Sequence, residues 1–126
     1  MDKNRSTTTE EIFTAEAIAK SGTAYSRIFP MKMTAGNVSL QIEVTGDGTA
    51  KFEWIGSNTD GAEATDCIKP NNANDIVAAF TKTDGPGGDG KHIYSFNISL
   101  VGSMAIKVTE TGGVSAIAVT ANIAVQ

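Results

Sequence analysis

Apolar residues recur at every second position through much of the chain. Val38, Leu40, Ile42 and Val44 alternate with Ser39, Gln41 and Glu43, the period of a strand that buries one face. Thr45-Gly46-Asp47-Gly48 follows, and then Ala50, Phe52 and Trp54 share a face. Turn residues that tolerate positive φ between two alternating runs predict a β-hairpin. His92, Tyr94, Phe96, Ile98 and Leu100 predict one face of a later strand, and Met104, Ile106 and Val108 one face of the next. Beyond Glu110-Thr111-Gly112-Gly113, a last strand is expected from Val114 to Val125, with Ile117, Val119, Ile123 and Val125 on one face. A terminal strand is expected at a sheet edge, where it needs cover or becomes an interface.

Other segments are less regular. Residues 1–11 are polar, with Thr7-Thr8-Thr9 ahead of Glu10-Glu11, and read as an extended N-terminal arm outside a single domain at 12–126. Residues 12–19 carry helix signals in Thr9, Glu10, Glu11, Lys20 and Gly22, but Phe13, Ala15, Ala17 and Ala19 alternate with more polar neighbours; the balance favours a strand. Residues 57–73 read as a long polar loop. Asn74 or Asp75 could cap one helical turn over Ile76–Phe80, with a short strand as the competing reading. Residues 83–90 form a flexible Gly-rich connection. Seven to eight short strands without an amphipathic helix predict an antiparallel β-sandwich or barrel over a βαβ fold; the sandwich, a jelly-roll-like arrangement included, is the expectation taken forward.

Composition sharpens this picture. The chain has 12 Ile, 8 Val and 15 Thr against 2 Leu, and branched Cβ atoms suit a pleated surface better than a helix. At 126 residues, two separate cores would each be marginal, so one domain is expected. A net charge of -4 lacks the cationic surplus that nucleic-acid binding draws on, so no nucleic-acid partner is expected. The only cysteine, Cys67, excludes an intrachain disulfide and a CxxC pair. The first residues lack the apolar core of a secretory signal, and no apolar run reaches the ~18 residues of a membrane helix. Synthesis in a cytoplasm and no membrane partner are the expectations.

Candidate chemistry is thin. Gly85, Gly87 and Gly90 fit GxGxxG, and Gly85–Lys91 fits the GxxxxGK of a phosphate loop, with His92 where Ser or Thr belongs. Such a loop works because a helix follows and aims N–H groups at the anion; a strand follows here, so the segment reads as a connection. His92 is the sole histidine, and one imidazole makes no recognisable site. Cys67 reads as a small buried hydrophobe. Asp60, Glu63 and Asp66 read as a solvated acidic loop, since no DxDxDG pattern accompanies them. Trp54, Tyr25 and Tyr94 could form a sugar-stacking platform, but Trp54 shares its face with Phe52 and Ala50 and reads as core. No catalytic set, metal set or cofactor is expected.

Several short motifs occur in a fixed order: Ser21-Gly22-Thr23-Ala24-Tyr25-Ser26, Ser39-Leu40-Gln41, Thr45-Gly46-Asp47-Gly48-Thr49, Ser57-Asn58-Thr59-Asp60-Gly61 and Glu110-Thr111-Gly112-Gly113. In this order they resemble small virion structural proteins of tailed bacteriophages, over most of residues 20–126. The resemblance implies a β-sandwich that decorates or cements a capsid, or serves as a head or tail accessory. It transfers no catalytic residue. It implies a virion location, capsid or other virion proteins as partners, and a homo-oligomer or symmetric assembly. Thr7, Thr8, Thr9, Glu10 and Glu11 of the arm are then the candidate contact residues. The alternative function is a carbohydrate-binding sandwich that recognises a cell-surface glycan through an exposed Trp54 or Tyr25.

Overall fold

The computed structural model describes residues 7–32, 34–98 and 100–126. Among these residues nine antiparallel strands form two sheets: β1 (Thr8–Ile18), β2 (Thr23–Tyr25), β3 (Phe29–Pro30), β4 (Asn37–Thr45), β5 (Ala50–Ser57), β6 (Val77–Phe80), β7 (Lys91–Asn97), β8 (Ser103–Glu110) and β9 (Ile117–Val125). Sheet A has the order β1-β9-β4-β7; sheet B has β2-β8-β5-β6, with β3 also pairing β8. The chain winds between the sheets in the order of a jelly roll. The count exceeds seven to eight because β2 and β3 are short, separate partners of β8.

The alternating apolar residues face one another between the sheets. Val38, Leu40, Ile42 and Val44 of β4 and Val119, Ala121, Ile123 and Val125 of β9 come from sheet A. Phe52 and Trp54 of β5 and Met104, Ile106 and Val108 of β8 come from sheet B, and all belong to one core. The two outer faces differ. On sheet B, the outward residues Glu53, Ile55 and Ala105 are buried. The 58–76 segment accounts for part of this, through a bridge between Gly56 and Ile68 and ion pairs from Lys69 to Glu53 and Asp75. Sheet A carries its outward residues without such a layer among the described residues.

Several sequence expectations are corrected. Thr8, Thr9, Glu10 and Glu11 are not an arm outside the core: they open β1 and pair with Val125, Ala124, Ile123 and Asn122 of β9. The long terminal strand supplies the ladder that holds them; the arm reading of residues 1–6 falls outside the described residues. Residues 12–18 are strand, but Phe13, Ala15, Ala17 and Ala19 do not share a buried face. Two register shifts flank Phe13, Ala15 takes φ 44°, and Phe13 and Ile18 turn inward instead. The terminal strand β9 is no edge, since β1 and β4 flank it.

The 45–49 and 110–116 turns do not close hairpins either. Each carries the chain from one sheet to the other, so the next strand packs across the core rather than beside its predecessor. Gly48 marks how tightly the first crossing packs: a Cβ there would lie 2.4 Å from the Ser115 carbonyl oxygen. The Gly-rich 83–90 segment likewise links β6 of sheet B to β7 of sheet A. Residues 77–80 are strand rather than a helical turn. β7 ends at Asn97, which leaves Leu100 98% exposed, and β9 begins only at Ile117, which leaves Val114 exposed.

Candidate interaction surface

Residues directly opposite in an antiparallel ladder project to the same face. The registers of sheet A therefore place Thr9, Ala124, Ser39 and Ser95 in one outward row, and Glu11, Asn122, Gln41 and Ile93 in the next. Asn37 and Asn97 face each other beyond the first row, and Glu43 pairs with Lys91 beyond the second. The first row carries short uncharged side chains, while Glu11, Glu43, Lys91 and the apolar Ile93 lie in and beyond the second; the four strands give the face a width of about 14 Å. Toward the Thr7 and Gln126 end it holds a shallow groove of about 650 Å³, lined among others by Thr7, Asn37, Ser39, Ser95, Asn97 and Gln126. The amide of Gln126 donates to the Thr7 hydroxyl at 3.3 Å.

The candidate residues thus divide by face. Thr7, Thr9 and Glu11 belong to this surface. Thr8 and Glu10 occupy the alternate, core-facing positions of β1, where the sandwich is open at its side. Glu10 is satisfied there by Arg27 of the β2–β3 link, through two bonds of 2.6 Å. The Arg27 guanidinium lies 4.0 Å over the Phe29 ring, a cation–π contact. The paired guanidinium holds the Glu10 carboxyl below the usual range. Sheet A is clasped to sheet B at that side.

The end of the sandwich away from the groove is organised by Glu110, which sequence reasoning treated only as part of a turn. Its side chain is 1% exposed and accepts N–H bonds from Thr49, Ser21, Gly113 and Gly112 at 2.9, 2.9, 2.9 and 2.7 Å. These donors, Thr49 foremost, lower its pKa from 4.5 to about 2. A carboxylate that collects backbone N–H groups is a satisfied buried charge. It ties together the loops after β1, β4 and β8. The signal in the sequence was phase: Glu110 continues the inward series Met104, Ile106, Val108.

The remaining candidates have structural partners. The His92 Nδ1 lies 2.8 Å from the Ile93 carbonyl oxygen, and the ring stacks on Tyr94 at 4.2 Å. Asp84 accepts from the Thr81 N–H and hydroxyl, and the Gly90 N–H donates to the Asp84 carbonyl, so the Gly-rich segment is closed on itself. Asp66 accepts from the Glu63 N–H at 3.0 Å, and Asp60 faces Lys32 at 3.5 Å. Cys67 is half-buried rather than buried, and burial together with Asp66 pushes its thiol pKa up, away from reactive thiolate. Trp54 is 5% exposed and belongs to the core, so the sugar platform loses its largest ring. Tyr25 is half-exposed, with Lys107 5.9 Å from its ring.

No family model matches this chain, and no curated protein matches it. Among solved structures it is similar to the infectious bursal disease virus VP2 subviral particle, with a TM-score of 0.62 at 9% identity; the match covers 98% of this chain and 32% of that one. This chain spans about a third of that protein. A weaker likeness, TM-score 0.48 at 15% identity, links it to PliG of Aeromonas hydrophila, a periplasmic inhibitor of g-type lysozyme, over 100% of this chain and 91% of that one. Another, TM-score 0.45 at 13% identity, links it to the SPBc2 prophage-derived protein YomS, over 95% and 92%. The class these observations define is an all-β, two-sheet sandwich whose fold recurs in the VP2 subviral particle.

Proposed function

We propose that this chain is a non-enzymatic structural protein of a phage particle, a capsid decoration or cement protein or a head or tail accessory. The outer face of sheet A carries the reading: it is broad, uncovered among the described residues and lined along the row Thr9, Ala124, Ser39 and Ser95 by short side chains. Such a face docks against another protein surface with little side-chain ordering cost, whereas the opposite face of the sandwich already has part of its own chain over it. The likeness to VP2, a protein that forms subviral particles, supports the reading at the level of fold. The ordered motifs from Ser21 to Gly113 support the phage assignment.

In this reading Thr7, Thr9 and Glu11 contribute to the contact directly, and Thr8 and Glu10 hold β1 in place. The partners are capsid or other virion proteins, and the location is the virion. Electron microscopy of particles purified with and without this protein tests it. The expected result is additional density with the dimensions of one sandwich at symmetry-related positions. Particles that neither contain the protein nor bind it when it is added would overturn the proposal.

A further inference from the structure

The two edges of sheet A are built differently. β1 carries two register shifts, a left-handed Ala15 whose N–H is taken by the Thr120 hydroxyl, and the Glu10–Arg27 clasp. Irregularities of this kind stop an edge from templating another strand. β7 has none of them. Its seven residues pair one for one with Asn37–Glu43, without bulge or proline.

The direction of its free backbone groups follows from the ladder. Ile98 N–H donates to the Gly36 carbonyl, and Val44 N–H donates to the Gly90 carbonyl. Alternation then turns the N–H and C=O groups of His92, Tyr94 and Phe96 toward β4. Those of Lys91, Ile93, Ser95 and Asn97 point outward, where no strand among the described residues meets them. Two half-covered features lie along this edge. Ile93 is 54% exposed on the outer face. On the inner face His92, Tyr94 and Phe96 are half-buried, with Phe80 set edge-on to His92 and Tyr94 at 6.5 Å.

We propose that β7 is a self-association edge: two copies pair β7 with β7, antiparallel about a twofold axis at Tyr94, and join their four-stranded sheets into one. A second copy is the occupant because the edge is complementary to itself. With Tyr94 opposite Tyr94, Lys91 meets Asn97 and Ile93 meets Ser95, so every outward-pointing backbone group of both strands gains a partner. No like charges face each other, and Lys91 keeps its pairing with Glu43 at 3.7 Å. On the inner face Tyr94 meets Tyr94 and His92 meets Phe96, aromatic cross-strand pairs of the favourable kind. The Ile93 carbonyl, already bonded to His92, keeps a second lone pair for the Ser95 N–H of the other copy. Slipping the register by two residues toward Lys91 leaves Asn97 unpaired, and slipping further sets lysine against lysine.

The inference does not depend on a virion role, and its test uses the isolated full chain. Light scattering and sedimentation over a concentration series should show a twofold rise in mass. Amide exchange at Lys91, Ile93, Ser95 and Asn97 should slow as the dimer forms. Ile93→Lys, on an exposed position, should return the mass to that of a monomer with an unchanged circular dichroism spectrum and the thermal midpoint of the dilute wild type. Ser95→Pro should do the same by deleting one outward N–H; should that variant misfold, Ile93→Lys decides. Glu11→Lys, on the far edge, should leave the dimer intact. A wild-type chain that stays monomeric to its solubility limit overturns the proposal. So does a dimer that survives Ile93→Lys, or one whose protected amides lie outside β7.

Discussion

At the scale of single residues, Glu110 has the largest consequence. Its carboxylate is charged in the fold and ties three loops through four backbone donors. Its pKa is about 2 when folded and near 4.5 otherwise. The unfolded chain therefore binds the proton more readily, so the stabilisation is fully present above pH ~4.5 and is lost as the pH falls toward ~2. Acid titration of unfolding should show this decline in the wild type and a much flatter profile in Glu110→Gln. That variant should also have a clearly lower thermal midpoint at neutral pH, because a neutral amide cannot replace a carboxylate before four N–H groups. In the core, Phe52 is 0% exposed. Phe52→Ala should cost about 3–5 kcal/mol in denaturant unfolding, whereas truncation of the exposed Leu100 should cost almost nothing.

At the scale of elements, the clasp between β1 and the β2–β3 link joins the two sheets at one side. Glu10 and Arg27 are partly exposed, so their bond is screened; a double-mutant cycle with Glu10→Ala and Arg27→Ala should give a coupling of about 0.2–1 kcal/mol that shrinks in high salt. Strand identity was legible because burial in a two-layer fold imposes a period of two. Which sheet each strand joins was not. The residues 46–49 suit a hairpin and an inter-sheet crossing alike, and the choice lies with where Ile117 and Ser115 pack against Gly48. The bulges of β1 were hidden because an added residue looks like one more step of alternation. Of the candidate site, the Thr7–Glu11 segment could be named from its polar run. Its division into outward and inward residues needed the pairing with β9.

At the scale of the whole molecule, the docking role proposed for the outer face of sheet A is open to a direct test. Ser39→Arg combined with Ala124→Arg places two guanidinium groups in the middle of that face. Particle binding, followed by co-sedimentation, should weaken about tenfold or more in this variant while the fold is retained. The same chain winding sets the order in which the molecule can be completed. β9 lies inside sheet A, between β1 and β4, although it is the last of the described strands in chain order. Until residues 117–125 leave the ribosome, β1 has no neighbour in its sheet and β4 lacks one of its two. A nascent chain halted short of that point would present a bare apolar cleft, so closure of the sandwich waits for β9 whatever the other strands have formed, a consequence of the position of a single strand.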